Sequence, residues 1–347
     1  WFLIKIIVAS SVSARAMSSA GPLVDVKVND KTGVATVTMQ RAPVNGLNLE
    51  LLTELGKTID DLSNNRSKGM VLTSVSNVLM ILSMCNVPLA VCGVEKFVSL
   101  LFSVTITDQL TIFRSAFNLP RETLYKRAYF AIHCILCLLL NLCCPQFIWK
   151  LSLDIMEMYK PDPKRVREFW SALQDCWMKL FSSPYPTAAA INGHSPAGGC
   201  LLAMSCEYRV MVGGKYTIGL NETALGIVAP PWFQDTLRHT ISPRTAEMAL
   251  TLGTLFSSDE ALKIGMIDEL ATDKADAIAK SEAFIAKFAK INPLARSMSK
   301  MMFRKKIVQE LEENQEMDLD MFVSTVSSPK VQKSLDLYIA ALKTKSK

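Results

Sequence analysis

Histidine is scarce in this 347-residue chain: only His133, His194 and His239 are present. No two stand at metal-ligand spacing, so a His-rich metal centre is excluded and no metal is expected. An excess of one charge is also missing. The 38 basic and 32 acidic residues leave a net charge of +6. That is too mild to indicate nucleic acid, although it suits a polyanionic ligand. Half of the residues are apolar, which excludes a wholly disordered chain, a collagen-like fibre and an acidic tail protein.

Two stretches lack what the rest has. No acid precedes Asp25, and residues 1–20 carry Lys5, Arg15 and five serines. This acid-free, Ser-rich leader reads as the remnant of a mitochondrial transit peptide over 1–21; a secretory signal is the rival, because Trp1–Ser10 is apolar. A first residue of Trp1 rather than Met reads as a fragment or partial translation. The second stretch is 75–151, which holds 9 of the 70 charged residues in 77 positions. It also holds six of the nine cysteines: Cys85, Cys92, Cys134, Cys137, Cys143 and Cys144. No second ligand pair accompanies them, so they read as apolar cysteines rather than a metal site. The other three, Cys176, Cys200 and Cys206, form no disulfide framework and fit a reducing compartment.

Outside that block the pattern is α/β. Alternating valines on either side of Asn29–Gly33 predict a hairpin over 23–39. Asn48 can cap a helix with Leu52, Leu55, Ile59 and Leu62 on one face. Gly69–Thr73 reads as a buried strand. After the block, Pro161-Asp162-Pro163 opens a long helix carrying Val166, Phe169, Trp170, Leu173, Trp177 and Leu180. Thr187–Ile191 is a small-residue strand, Asn192–Gly199 a Gly-rich turn, and Cys200–Ser205 the start of a helix. Glu207–Val212 and Tyr216–Ile218 read as strands. Helices follow over Arg244–Leu252 and Ser258–Lys263; Ser257 and Glu260 form a capping box for the second. Residues 272–347 are helical in pattern. Domain boundaries are expected at 22–74, 152–290 and 291–347.

Two segments carry chemistry. In Ile191–Val210 a buried strand enters a Gly turn and then a helix. This aims free backbone N–H groups at one point, where they can stabilise a developing oxyanion. A plain strand-to-helix turn is the alternative. In Ile218–Pro230, Glu222 is a lone acid among apolar residues. Burial would raise its pKa and suit it to general-base work. A solvated loop Glu, or one in the first turn of a helix, is the alternative. His194 shows no partner in the sequence.

Taken together, RAPVNGLNLELLTEL (Arg41–Leu55), INGHSPAGGC (Ile191–Cys200), IGLNETALGI (Ile218–Ile227) and SSDEALKIGMID (Ser257–Asp268) resemble the crotonase (enoyl-CoA hydratase/isomerase) superfamily. The likeness covers about 22–74 and 153–347 and is strongest to its isomerase branch. It implies a crotonase-like ββα spiral with a C-terminal helical trimerisation region and a homotrimer. The implied substrate is a 3-enoyl-CoA thioester, converted to trans-2-enoyl-CoA in the β-oxidation of unsaturated fatty acids in the mitochondrial matrix. No cofactor is implied, coenzyme A being part of the substrate.

The resemblance also implies roles for residues. Glu222 would take the C2 proton and return it at C4. Gly198 would supply an oxyanion-hole N–H, and Ala197, Gly199, Asn221 and Asp154 would border the substrate. Leu151 falls at the position of the second oxyanion donor, with Ser152 where the family has Gly. Hydratases carry a second Glu where this chain has Leu201, and adding water calls for two carboxylates. This favours isomerisation over hydration. The remaining alternative is a non-catalytic or membrane-attached variant whose site the 75–151 block has disrupted. That block reads as translated intron or mispredicted exon, as a membrane hairpin including the uncharged run Tyr129–Trp149, or as an inserted lid. Lys330 and Lys333 are candidate contacts for CoA phosphates or solvated lysines. Trp232 and Phe233 are acyl-tunnel wall or core, and Met298–Met302 is read as packing.

Overall fold

The computed structural model describes residues 21–41, 45–75 and 153–345. Strands β1 (Val24–Val28) and β2 (Val34–Met39) pair antiparallel with Val24 opposite Met39. Between them, Gly33 takes φ 70 and its N–H donates to the Asn29 carbonyl at 2.7 Å, a left-handed position that suits glycine. The expected helix follows as α1 (Leu49–Asn64), capped by Asn48, whose side chain accepts from the Leu51 N–H. Its buried face holds Leu51, Leu52, Leu55, Ile59 and Leu62. Strand β3 (Gly69–Ser74) lies parallel to β2.

The chain is next described at α2 (Ile155–Met158) and α3 (Pro163–Phe181). Pro163 opens α3, and Asp162 accepts from the N–H groups of Lys164 and Arg165, as a proline at the first helical position allows. Then come β4 (Thr187–Ile191), β5 (Ser195–Pro196), α4 (Gly198–Ser205), β6 (Tyr208–Val212), β7 (Thr217–Gly219) and a 3₁₀ turn at Glu222–Leu225. After α5 (Pro231–Thr240), α6 (Pro243–Leu252), β8 (Phe256–Ser257), α7 (Ser258–Lys263) and β9 (Glu269–Ala271), three helices close the chain: α8 (Lys274–Ala286), α9 (Pro293–Ser327) and α10 (Pro329–Lys345). The capping box on α7 is present, with Ser257 and Glu260 bonded reciprocally.

Strands β1, β2, β3, β4, β6 and β9 form one sheet in that order, and β5, β7 and β8 form a second. From β4 to β7 successive strands therefore alternate between sheets, β4 then β5, β6 then β7; β8 pairs with β7 in the small sheet and β9 returns to the large one. Each turn of the chain adds one strand to each layer and a helix, which is the ββα spiral. The large sheet needs apolar cover on both faces because its inner strands are continuous apolar runs. On one face Val71, Ala188, Ala190, Val210 and Val212 cluster with Ala277 and Ile285 of α8. On the other, the main core gathers α1 and α3 side chains. Residues 21–75 and 153–341 belong to one compact unit.

In the C-terminal half one open choice is decided and one expectation needs correction. Trp232 and Phe233 are core rather than tunnel wall: Phe233 is fully buried, and Trp232 rings meet Trp170 and Trp177 of α3. The cause is Asp318 of α9, whose Oδ2 accepts from Trp170 Nε1 at 2.7 Å, Gln174 Nε2 at 2.8 Å and Trp232 Nε1 at 3.2 Å. A buried acceptor shared by three donors ties α3, α5 and α9 together. Met298 and Met302 do not pack within the chain; they are 62% and 86% exposed, beside Leu294 at 70% and Phe303 at 77%. In this first part of the helix the buried side chain is Arg304, which donates to the carbonyls of Phe181 and Ser205.

The readings made for 1–20 and for most of 75–151 lie outside the described residues. Among the described residues no helix is long and apolar enough to cross a membrane.

Candidate active site

The Gly-rich turn after β4 begins its helix at Gly198, two residues earlier than the sequence indicated. Propensity disfavours a Gly-Gly start, but packing decides it. A Cβ on Gly198 would lie 2.7 Å from Leu153 Cδ2 and 3.0 Å from Leu47 Cδ1, so only glycine lets these leucines close over the turn. Leu47 and Leu153 are themselves joined by a parallel bridge. Ala197, the residue before the helix, takes φ 50 and ψ −119, a strained state for an L-residue. It is held there by its N–H, which donates to the Gly219 carbonyl at 2.8 Å, and its carbonyl, which accepts from Leu201. No side chain caps this helix. The N–H groups of Gly198, Gly199 and Cys200 thus precede the first intrahelical donor, the Leu201 N–H, and are left free at the terminus.

The second motif is brought to the same place by strand pairing. Ser195 pairs with Ile218 and Pro196 with Gly219, in parallel. Continuing two residues along each strand reaches Gly198 and Asn221. Glu222 is the first residue of the 3₁₀ turn, whose carbonyl accepts from the Ile227 N–H at 3.1 Å, with Gly226 at φ 76 closing the turn. Both readings of this Glu meet here: it is a first-turn residue, but it is not solvated. Its exposure is 6%, and neither carboxylate oxygen has a hydrogen-bond partner among the described residues. Burial pushes its pKa up to about 7, opposed only by a bond from its own backbone. The Cys200 thiol is held well above its ordinary value by burial and then by the charge of Glu222, which reports that the carboxylate lies near the first turn of α4.

Among the described residues no second carboxylate acts on Glu222. Leu201, at the position where a second acid would stand, is fully buried in α4. Asp154 is engaged within the chain: Oδ1 accepts from the Met156 N–H at 3.0 Å, and Oδ2 pairs with Arg41 at 2.8 Å. Asn221 is half-buried and its carbonyl accepts from Ala224 at 3.1 Å. Ala197 and Gly199 are buried at the turn. Leu151 lies outside the described residues. Lys330 and Lys333 are exposed on α10.

A narrow cleft opens at the C-terminal ends of β3 and β4, walled by Asn45, Thr73, Ser74, Asn192, His194 and Gly199 among others. This is the end of a parallel sheet where ligands collect. Gly199 joins the cleft to the helix terminus, while Gly198 and Glu222 are not in its wall. His194 has the partner that the sequence could not display: Nδ1 lies 3.0 Å from Thr217 Oγ1 and accepts from the Thr217 N–H at 3.2 Å. The sequence reading also passed over Asn45, although it lies inside the RAPVNGLN motif. Its signal was a polar side chain between apolar neighbours.

Known proteins resemble this chain in sequence and in fold. The enoyl-CoA hydratase/isomerase family profile matches residues 151–347. The mouse protein named mitochondrial enoyl-CoA delta isomerase 1 is 35% identical over 92% of this chain and 87% of its own length. The rat protein of the same name is 45% identical over 57% of this chain and 68% of its own. The crystal structure of human mitochondrial Δ3-Δ2-enoyl-CoA isomerase superposes with a TM-score of 0.70 at 30% identity, covering 94% of this chain and all of the other. Likeness of this extent, in sequence as in fold, has one reading: the chain belongs to the enoyl-CoA hydratase/isomerase family.

Proposed function

We propose that this protein is an enoyl-CoA isomerase that moves the double bond of a 3-enoyl-CoA thioester to the trans-2 position in fatty acid oxidation. The observation that carries this reading is Glu222: among the described residues, a buried carboxylate with two unpartnered oxygens and no second acid beside it. The C2 protons of the substrate lie between the thioester carbonyl and the double bond, which makes them acidic. Glu222 removes one, the electron pair spreads into a dienolate, and the negative charge gathers on the thioester oxygen. The N–H groups at the start of α4, Gly198 first, donate to that oxygen. Glu222 then returns the proton at C4, and the double bond is left between C2 and C3. No proton is gained or lost, so a pKa close to neutral suits a base that must also be the acid.

Ala197, Gly199 and Asn221 border the acyl group, and Asp154 acts by holding Arg41 and the Gly46 loop. The single carboxylate favours isomerisation over hydration. Replacement of Glu222 by Gln abolishes conversion of 3-enoyl-CoA if this reading is right. A folded chain that binds CoA thioesters without Glu222-dependent turnover would instead support the non-catalytic variant. Coenzyme A enters as part of the substrate.

The same reading puts the protein in the mitochondrial matrix as a homotrimer. The acid-free leader and the mitochondrial names of its relatives support the first; organelle fractionation tests it. The exposed apolar side chains Leu294, Met298, Met302 and Phe303 on α9 support the second, because a face this apolar is buried in most soluble proteins. Light scattering that gives three times the 38.4 kDa chain mass tests it.

A further inference from the structure

Helix α4 has little along its length to hold it in place axially. All of Gly198–Ser205 is buried, and its one hydroxyl, Ser205 Oγ, donates back to the Leu201 carbonyl inside the helix. Apolar packing is non-directional, so it does not fix where a helix stops along its own axis. Hydrogen bonds at the two ends do. At the front, the Ala197 N–H donates to the Gly219 carbonyl. At the rear, two arginines from different elements meet the last carbonyls. Arg304 of α9 donates from Nη1 to Ser205 O at 2.7 Å and to Phe181 O, the end of α3, at 2.9 Å. Arg209 of β6 donates from Nη1 to Cys206 O at 2.9 Å and is itself held by Asp268 at 2.8 Å. A helix leaves its last carbonyls unpaired, and cations there complement its dipole. Arg304 is 6% exposed, and its guanidinium lies 4.2 Å from the centre of the Phe181 ring. Burial lowers its pKa to about 10, whereas burial takes the nearby Lys300 down to about 7. The guanidinium thus keeps its charge through the neutral range, where the amine is losing its own.

We propose that Arg304 is a positioning residue for catalysis: from the rear of α4 it sets how far the free N–H groups at the front reach toward the thioester oxygen. The proposal rests on the enoyl-CoA reading above and deepens it. Gly198–Ser205 at a rise of about 1.5 Å per residue puts the two ends of the helix about 12 Å apart, so Arg304 touches no reacting atom and acts through the helix. A displacement of about 1 Å in a group that meets the substrate can cost about 10²-fold in rate. Arg296 supplies the comparison. It stands on α9 as well, pairs with Glu207 and donates to Pro184 O, and among the described residues it makes no bond to α4.

In the full chain, Arg304→Gln and Arg296→Gln each remove a buried cation of α9, and both should lose stability in urea. We expect kcat to fall about 10–10²-fold in Arg304→Gln, with KM changing much less, and Arg296→Gln to keep the wild-type kcat. The second readout needs no turnover: the carbonyl stretch of ¹³C-labelled hexanoyl-CoA, a saturated thioester, bound to the protein. This band should move to higher wavenumber in Arg304→Gln and stay in place in Arg296→Gln. Arg304→Lys should move both readouts the same way by less, and it carries the test if Arg304→Gln does not fold. Arg304 variants that lose stability but keep the wild-type kcat and band make Arg304 a structural residue and overturn the proposal. An equal fall of kcat in Arg296→Gln overturns it too, because the effect then follows stability rather than contact with α4. A wild-type band unmoved from that of free hexanoyl-CoA means that α4 does not polarise the carbonyl, and the site reading and the proposal fall together. A wild-type band that moves on binding but is the same in every Arg304 variant leaves the site reading standing and overturns the proposal alone.

Discussion

Removing the Glu222 charge should stabilise the protein in a pH-dependent way. Its carboxyl titrates at an ordinary 4.5 in the unfolded chain and near 7 in the folded one. Below pH 4.5 both states are protonated and the group costs nothing. As pH rises through this window the unfolded state releases its proton first, so stability is lost progressively until pH passes about 7. At about 1.4 kcal/mol per pKa unit, the loss is about 1 kcal/mol at pH 5 and about 3 kcal/mol at pH 8. Glu222→Gln has no proton to release, and any fixed cost of burying the amide is the same at every pH. Urea unfolding of both proteins at pH 5, 6, 7 and 8, at one protein concentration, isolates the slope. The stability of Glu222→Gln relative to wild type should rise by about 2–3 kcal/mol across that range. A difference that stays flat would refute the buried-carboxylate argument, because it would mean that Glu222 titrates alike in both states. The same pKa predicts that wild-type kcat/KM rises with pH to a plateau above about 7, as the base must start deprotonated.

Other residues give sharper local tests. Gly198→Ala forces a Cβ against Leu153; we expect a loss of about 1–3 kcal/mol and a large fall in activity. Leu153→Ala in the same chain should recover part of both, measured as a double-mutant cycle. Asp318→Ala strands the donors of Trp170, Gln174 and Trp232 and should cost about 3–5 kcal/mol in chemical denaturation. Asp154→Asn keeps an acceptor for Met156 but loses the Arg41 ion pair; about 0.5–1 kcal/mol of stability should go, with KM almost unchanged. A tenfold rise in KM would make Asp154 a direct substrate contact.

Legibility in the sequence followed the range of the interaction. Helix α1 could be read because Asn48 caps it and its leucines repeat at helical spacing, all within one segment. The start of α3 at Pro163 and the capping box at Ser257 were legible for the same reason. Glu222 stood out because a carboxylate is rare in an apolar run, and burial was the natural consequence. The start of α4 was misjudged because local propensity argues against Gly198, while Leu47 and Leu153 come from distant segments. Trp232 and Phe233 could not be assigned to core or tunnel without Asp318, which lies more than 80 residues away. Near its start the inward side of α9 carries Arg304, which finds two buried carbonyls, while Met298 and Met302 stand on the exposed side; this inverted the reading of Met298–Met302.

By itself, then, the sequence pointed to the kind of chemistry through one acid in apolar surroundings and a glycine turn into a helix; the meaning of leucine rather than a second acid at 201 came from the family resemblance. The acid and the turn depend on residue type and short spacing, which composition and periodicity preserve. Only the tertiary structure decided that the two motifs share a site, through the pairing of Pro196 with Gly219. It also decided that, among the described residues, the Glu222 carboxylate and the Asn45 Nδ2 have no hydrogen-bond partner, with Asn45 Oδ1 held by the Arg41 N–H. Hydrogen-bond satisfaction is a property of the assembled neighbourhood, and segments far apart in the chain supply that neighbourhood.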